Sequence, residues 1–162
     1  MKQSLRSLLI LIALLLYVSP AYLQQTLFIN EFLASNNTTV ADEFGDFDDW
    51  VEIYNASNEP INISGMYITD DLTDPTAWQI PDTSADLTTI SPKGFLIIWC
   101  DKESEEGVLH AEIKLKSSGE QIGLFASDGV TAIDTLSFGE QTTDVSYGRL
   151  PDGSDTWQYF TS

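Results

Sequence analysis

From Leu27 onward, short apolar runs alternate with turn residues, and no stretch keeps a helical apolar period for ten residues. Leu27 to Leu33 and Trp50 to Tyr54 are dense in β-branched and aromatic side chains and read as strands. Ile61 to Ile63 and Met66 to Thr69 flank a Ser64-Gly65 turn, and Trp78 to Ile80 and Leu87 to Ile90 are shorter strand candidates. Phe95 to Trp99 is continuously apolar, the pattern of a central strand buried on both faces. It is launched by Ser91-Pro92-Lys93-Gly94, where proline fixes one φ and glycine frees another. Ala111 to Lys116 alternates, with Ile113 and Leu115 on one face and Glu112, Lys114 and Lys116 on the other. Gln121 to Phe125, Ala132 to Phe138, Val145 to Leu150 and Trp157 to Phe160 follow, separated by Asp-Gly and Ser-Gly turns of hairpin type. Many short strands at this spacing predict a single all-β domain over 27–162, a sandwich or barrel, with 22–26 as a leader.

The segment before it has another pattern. Lys2 and Arg6 precede an apolar run from Leu8 to Val18, closed by Ser19-Pro20-Ala21. This is the layout of an export signal helix over 1–21, with small residues where a signal peptidase reads. A membrane anchor needs about 20 apolar residues, and this run is shorter. No cysteine lies near its end, which excludes lipoprotein-type attachment there. The expectation is a secreted or cell-envelope protein with no membrane span after cleavage at Ala21, and 141 residues remaining of 162.

Hydrophobic residues make up 43% of the chain, with four Trp, six Tyr and eight Phe, enough for a sizeable core. The formal charge is −18, and it becomes −20 once Lys2 and Arg6 are removed, because 25 acids then face five bases. Those five, Lys93, Lys102, Lys114, Lys116 and Arg149, are scattered, so the surface repels a phosphate backbone and nucleic acid is not an expected partner. Cys100, the single cysteine, follows an apolar run and reads as a buried inert thiol.

Candidate chemistry centres on acids. The loop Asp42-Glu43-Phe44-Gly45-Asp46-Phe47 feeds Asp48-Asp49 at the start of the second strand, and a second acidic turn holds Asp70, Asp71 and Asp74. Calcium takes six to eight oxygens from such loops, which makes Asp42, Asp46, Asp48 and Asp71 the candidate ligands. The spacing is not that of an EF-hand, since Gly45 precedes the Asp pair it should follow. Capping of turns and plain solvation account for the same acids. A nucleophilic triad would have to use His110, the single histidine, and no G-x-S-x-G turn accompanies it. Beside Leu109 and Ala111 it reads as a surface or edge residue. Paired carboxylates for glycoside hydrolysis must face each other across a cleft, which neighbours on one loop rarely do. Among the aromatics, Trp50 and Trp99 read as core, whereas Trp78, after Pro75-Thr76-Ala77, is the candidate for an exposed ligand contact. Asn36, Asn37, Asn55 and Asn62 head N-x-[ST] triplets, which a Ser/Thr/Asn-rich β-protein produces by chance.

Seven segments, in order, resemble one family. They are Ile29-Asn30-Glu31-Phe32-Leu33-Ala34-Ser35-Asn36, Asp49-Trp50-Val51-Glu52-Ile53-Tyr54-Asn55, Ile63-Ser64-Gly65-Met66-Tyr67-Ile68-Thr69-Asp70-Asp71 and Trp78-Gln79-Ile80-Pro81. Then come Gly94-Phe95-Leu96-Ile97-Ile98-Trp99-Cys100-Asp101, Lys114-Leu115-Lys116-Ser117-Ser118-Gly119-Glu120 and Ser146-Tyr147-Gly148-Arg149-Leu150-Pro151-Asp152-Gly153. The chain is similar to lamin-tail domains, in particular their bacterial secreted branch. The resemblance implies an immunoglobulin-like antiparallel β-sandwich and a non-catalytic module. Bacterial domains of this kind are often attached to exported hydrolases or surface modules. The coiled-coil rod of the nuclear members has no counterpart here, so a filament role is not implied.

Three functions follow as expectations. The first is an exported binding or adhesion module, monomeric, meeting a protein or polysaccharide of the envelope, with a calcium-dependent carbohydrate-binding module as its variant. The second is an acidic-residue hydrolase, which requires convergent carboxylates in a cleft. The third is a structural subunit pairing through an exposed sheet edge.

Overall fold

The computed structural model describes residues 25–161, so the export signal expected over 1–21 lies outside the described residues. The strands are β1 (Leu27–Leu33), β2 (Trp50–Asn55), β3 (Ile61–Asn62), β4 (Tyr67–Thr69) and β5 (Trp78–Gln79). After a one-turn helix α1 (Ala85–Thr88) come β6 (Thr89–Ile90), β7 (Phe95–Cys100), β8 (His110–Ala111), β9 (Glu120–Phe125), β10 (Ala132–Phe138), β11 (Val145–Arg149) and β12 (Trp157–Thr161). One sheet runs β12-β11-β1-β2-β7-β8, the other β10-β9-β4-β5, and β3 pairs with β6 apart from both. Pairing is antiparallel except for β7 with β8, which are parallel at Trp99↔His110 and Cys100↔Ala111.

The strand period of two sorts the side chains. Val51 and Ile53 of β2 oppose Ile98 and Leu96 of β7, and they meet Ile122 and Leu124 of β9 and Ile68 of β4 in the main core. Each such buried side chain contributes about 1.5–3 kcal/mol. The intervening residues of the large sheet face outward, where Leu33, Trp50 and Trp99 pack together with Ile97. Trp50 and Trp99 are thus buried as the pattern predicts, but outside the main core. Cys100 lies in the main core, where burial pushes its thiol pKa far above the usual value.

Some expectations are corrected. Phe95 to Trp99 is not covered on both faces along its length: Phe95 is 45% exposed and stacks on Tyr54 at 4.9 Å, and β8 pairs only with the far end of β7. Leu87 to Ile90 begins inside helix α1, with Leu87 exposed and Thr88 buried, and only Thr89–Ile90 form a strand. In Ala111 to Lys116 the alternation is genuine, since Ile113 and Leu115 are buried, yet the ladder stops at Ala111. Trp78 is not an exposed contact. It is 7% exposed, sits opposite Ile68 in the β4–β5 pair and packs into the main core.

Several residues of the seven segments have visible structural work. Asn55 is fully buried; its amide donates to the carbonyls of Glu59 at 2.8 Å and Ile90 at 3.0 Å and accepts from Ser57 N at 2.9 Å. Asn36 donates to Val40 O and Asp48 O, at 2.6 and 2.9 Å. Two of the four glycosylation triplets are therefore committed inside the fold. Asn30 occupies a bulge in β1 and binds Glu52, Asp152 and Gly153 N, drawing the loop after β11 onto the sheet. Gly148 stands opposite Glu31, where a Cβ would lie 2.8 Å from the glutamate Cγ.

Candidate functional site

One end of the large sheet gathers the acids. Asn36 holds the loop 37–48 across its neck through the bonds to Val40 and Asp48, and Asp49 Oδ1 accepts from Asn36 N at 3.3 Å. Inside the loop, Asp42 Oδ1 accepts from the backbone N–H groups of Phe44, Gly45 and Asp46 at 2.8–2.9 Å. This is turn chemistry, with Gly45 at φ +96°. It consumes one carboxylate oxygen and leaves Asp42 Oδ2 buried without a hydrogen-bond partner.

Against that oxygen lies His110. The parallel β7–β8 pairing carries it to the strand end, where it is completely buried. Its Nδ1 is 2.6 Å from Asp101 Oδ2, and Asp101 is in turn fixed by Glu103 N donating to Oδ1 at 2.9 Å. Glu106 Oε2 lies 3.8 Å from Nδ1, and Glu43 Oε1 lies 3.6 Å from Nε2. Phe44 and Trp99 cover the ring at centroid distances of 6.0 and 6.5 Å. His110 Nε2 and Glu106 Oε2 are, like Asp42 Oδ2, buried without a hydrogen-bond partner. Among the described residues, Asp42, Glu43 and His110 form a group whose ligand-type atoms all lie within 4.8 Å of one another.

The charges crowd. Burial and then the charges of Asp101, Asp42 and Asp46 raise the Asp48 pKa, with Lys114 opposing. Burial, Glu103 and Asp42 raise Glu106. For His110, burial pulls the pKa down, but the hydrogen bond and charge of Asp101 and the charge of Glu43 outweigh it and place it above the ordinary histidine value.

Of the four expected calcium ligands, Asp42, Asp46 and Asp48 share this loop. Asp71 sits in the turn after β4, where its carboxylate accepts from Thr73 N and Oγ1 at 2.8 and 2.7 Å and the nearby cation is Lys116. His110, expected at the surface or at an edge, does lie on the edge strand β8 but is buried rather than at the surface. Asp101 and Glu106 were not anticipated as its companions. The available signal was the acidic stretch from Asp101 to Glu106 immediately after an apolar strand, with the single histidine four residues beyond it.

Beside the acidic loop runs a polar groove of about 440 Å³ lined by Asn36, Phe47, Asp48, Asp49, Lys114 and Lys116, among others. Phe47 is 44% exposed there, and both lysines reach solvent.

The family model described as Lamin Tail Domain matches residues 20–140. The chain belongs to the lamin tail domain family. The comparisons with curated proteins and with solved structures give no match. In this lamin tail domain the match ends before β11 and β12, although β11 lies between β12 and β1 in the large sheet. The immunoglobulin-like, nearly all-β architecture and the general character of a non-catalytic interaction module agree with the family. Among the described residues, no helix is long and apolar enough to cross a membrane.

Asp49 gives this lamin tail domain a pH signature. Burial raises its carboxyl pKa from 3.8 to about 6, against the opposing hydrogen bond from Asn36 and the charge of Lys114. A carboxyl with a raised folded-state pKa binds more protons folded than unfolded, so its contribution to stability falls as pH rises from about 4 through 6 and stays low above. At about 1.36 kcal/mol per unit the shift converts to roughly 3 kcal/mol, and solvent access reduces this to about 1–2 kcal/mol. Asp49→Asn is expected to stabilise the protein by that amount at pH 7.5 and by almost nothing at pH 4, read by urea unfolding. An equal gain at both pH values would show that ionisation of Asp49 is not the cause.

Proposed function

We propose that the protein is an exported, non-catalytic binding module of the bacterial lamin-tail type, acting at the cell surface or outside the cell. The groove beside the acidic loop is its contact surface. The observation that carries this reading is the groove itself. It joins an exposed aromatic ring, two lysines and two aspartates at loops braced by a rigid sandwich, the placement from which such scaffolds recognise partners. The mixed charges suit a protein or polysaccharide partner bound by hydrogen bonds and stacking, and the surrounding acids disfavour nucleic acid. The domain works as a monomer in this reading. A cleaved N-terminal signal delivers it, which the Lys2/Arg6, Leu8–Val18 and Ala21 pattern supports.

The test is retention of the purified protein on fractionated envelope and matrix material. Wild type is expected to be retained on one class of fraction. Phe47→Ser combined with Lys114→Glu is expected to reduce retention at least tenfold, with unfolding unchanged within about 0.5 kcal/mol per surface substitution. Equal retention of variant and wild type, or no retention of wild type on any fraction, would overturn the assignment.

A further inference from the structure

The cluster around His110 has a feature that hydrogen bonding within the protein does not resolve. In its neutral form with the proton on Nδ1 directed at Asp101, the tautomer a metal-bound histidine adopts, the ring presents a lone pair at Nε2. Glu43 Oε1 lies 3.6 Å from that nitrogen, a carboxylate oxygen of Asp42 completes the group within 4.8 Å, and of the two Asp42 oxygens it is Oδ2 that is buried without a partner. Carboxylates accept and do not donate when ionised, so in that form three acceptor atoms face one another, an arrangement that a proton or a metal cation resolves. A proton on Nε2 would find no oxygen at hydrogen-bonding distance, because 3.6 Å is beyond the range of such a bond.

We propose that His110 Nε2, Asp42 Oδ2 and Glu43 Oε1 bind a divalent transition-metal ion of the zinc type. One nitrogen and two carboxylate oxygens form a donor set that zinc accepts, with a remaining position for water, whereas calcium takes oxygen alone. Atoms no more than 4.8 Å apart share a point about 2.8 Å from each, so zinc–ligand distances of about 2.0–2.2 Å need each to move by well under 1 Å. Asp101 is the outer partner that metal-bound histidines use: it holds Nδ1, fixes the tautomer and turns Nε2 to the ion. Asp42 is prepared in the same way, because the three backbone donors at Oδ1 leave Oδ2 as its free donor atom. The ion ties the loop at Asp42 and Glu43 to β8, elements far apart in sequence, and offsets the local excess of negative charge. This assignment stands apart from the groove beside it, since no ligand atom belongs to a groove-lining residue.

The experiment titrates purified, chelator-treated protein with Zn²⁺ and, in parallel, Ca²⁺, following heat and melting temperature. Cobalt substitution is followed by its visible absorption. One zinc per chain is expected, with a rise in melting temperature of about 5–10 °C when zinc is a hundredfold above its Kd. Glu43→Gln is the decisive variant, because Glu43 is 62% exposed and its isosteric replacement is expected to leave the metal-free fold intact. It is expected to weaken zinc at least tenfold and to change the cobalt spectrum without altering the metal-free melting temperature. His110→Gln should abolish binding, and Glu43→Gln keeps the test valid if that variant fails to fold. Absence of a zinc-dependent shift, wild-type zinc affinity in Glu43→Gln, or calcium binding as tight as zinc would overturn the assignment.

Discussion

Arg149→Met is expected to cost the domain about 3–5 kcal/mol, the loss from breaking a buried ion pair. Arg149 is 7% exposed, at the end of β11. Its Nε donates to Ile29 O at 2.9 Å, its Nη1 to Ser154 O, and its Nη2 to Asp134 Oδ2 at 3.0 Å. Asp134 belongs to β10 in the opposite sheet, and its Oδ2 also accepts from Ile29 N at 2.9 Å. The guanidinium lies over the rings of Trp157 and Phe28, 4.7 and 5.4 Å from their centroids. One side chain therefore joins β1, β11, the loop after β11 and the second sheet. Removing it leaves the Asp134 carboxylate, 10% exposed, without its counter-charge. Arg149→Lys keeps the charge and loses the fork, so an intermediate loss is expected. Adding Asp134→Leu to Arg149→Met should restore part of the loss but not all, because Ile29 N is then unpaired. Urea unfolding measures each step. A loss below about 1 kcal/mol for Arg149→Met would show that the pair is solvated rather than buried.

The longer strands, central or at an edge, were readable. β1 and β10 were expected at the residues where they occur, and β2, β9, β11 and β12 within a residue or so at their ends, because apolar density and turn chemistry act locally. What failed was the inference from burial to pairing. Ile113 and Leu115 alternate inward exactly as strand residues do, but no neighbouring strand meets them. Alternation reports which side faces the core and says nothing about where backbone bonds go. The acidic loop was visible from composition, and with it Asp42, Asp46 and Asp48. The acids beside His110 left a local trace, since Asp101 and Glu106 lie nine and four residues before it, but its approach to Asp42 and Glu43, about 70 residues earlier, leaves no local pattern. Several residues of the seven segments, two of them beyond the matched residues 20–140, are explained by geometry that one residue type satisfies. Gly148 is required by Glu31 across the ladder, Asn55 by the carbonyls around its amide, and Arg149 by the four elements it joins.

Trp78→Ala is expected to destabilise the protein by about 3–5 kcal/mol, the cost of removing a large core aromatic. The sequence pattern, a tryptophan in a proline-containing, polar stretch, pointed instead to a ligand contact. The two roles separate cleanly in measurement. A contact residue lost to alanine lowers retention on a partner and leaves unfolding unchanged. A core residue lowers stability and affects retention only through the fraction unfolded. Trp78 is 7% exposed and belongs to the main core with Ile68, Ile80 and Leu124. Its strand is two residues long and sits at the edge of the small sheet. Backbone bonds alone hold so short a strand weakly, and the indole anchors it to the core together with the buried Ile80 that follows. Trp78→Phe should recover more than half of the loss, since the ring fills much of the same volume. Phe47→Ser is the matching control on the other side of the argument, expected to leave stability intact while it weakens retention. Were Trp78→Ala to unfold at the wild-type urea midpoint yet lose its hold on envelope material, the tryptophan would return to the role the sequence pattern gave it, and the packing of β5 against β4 would need another anchor.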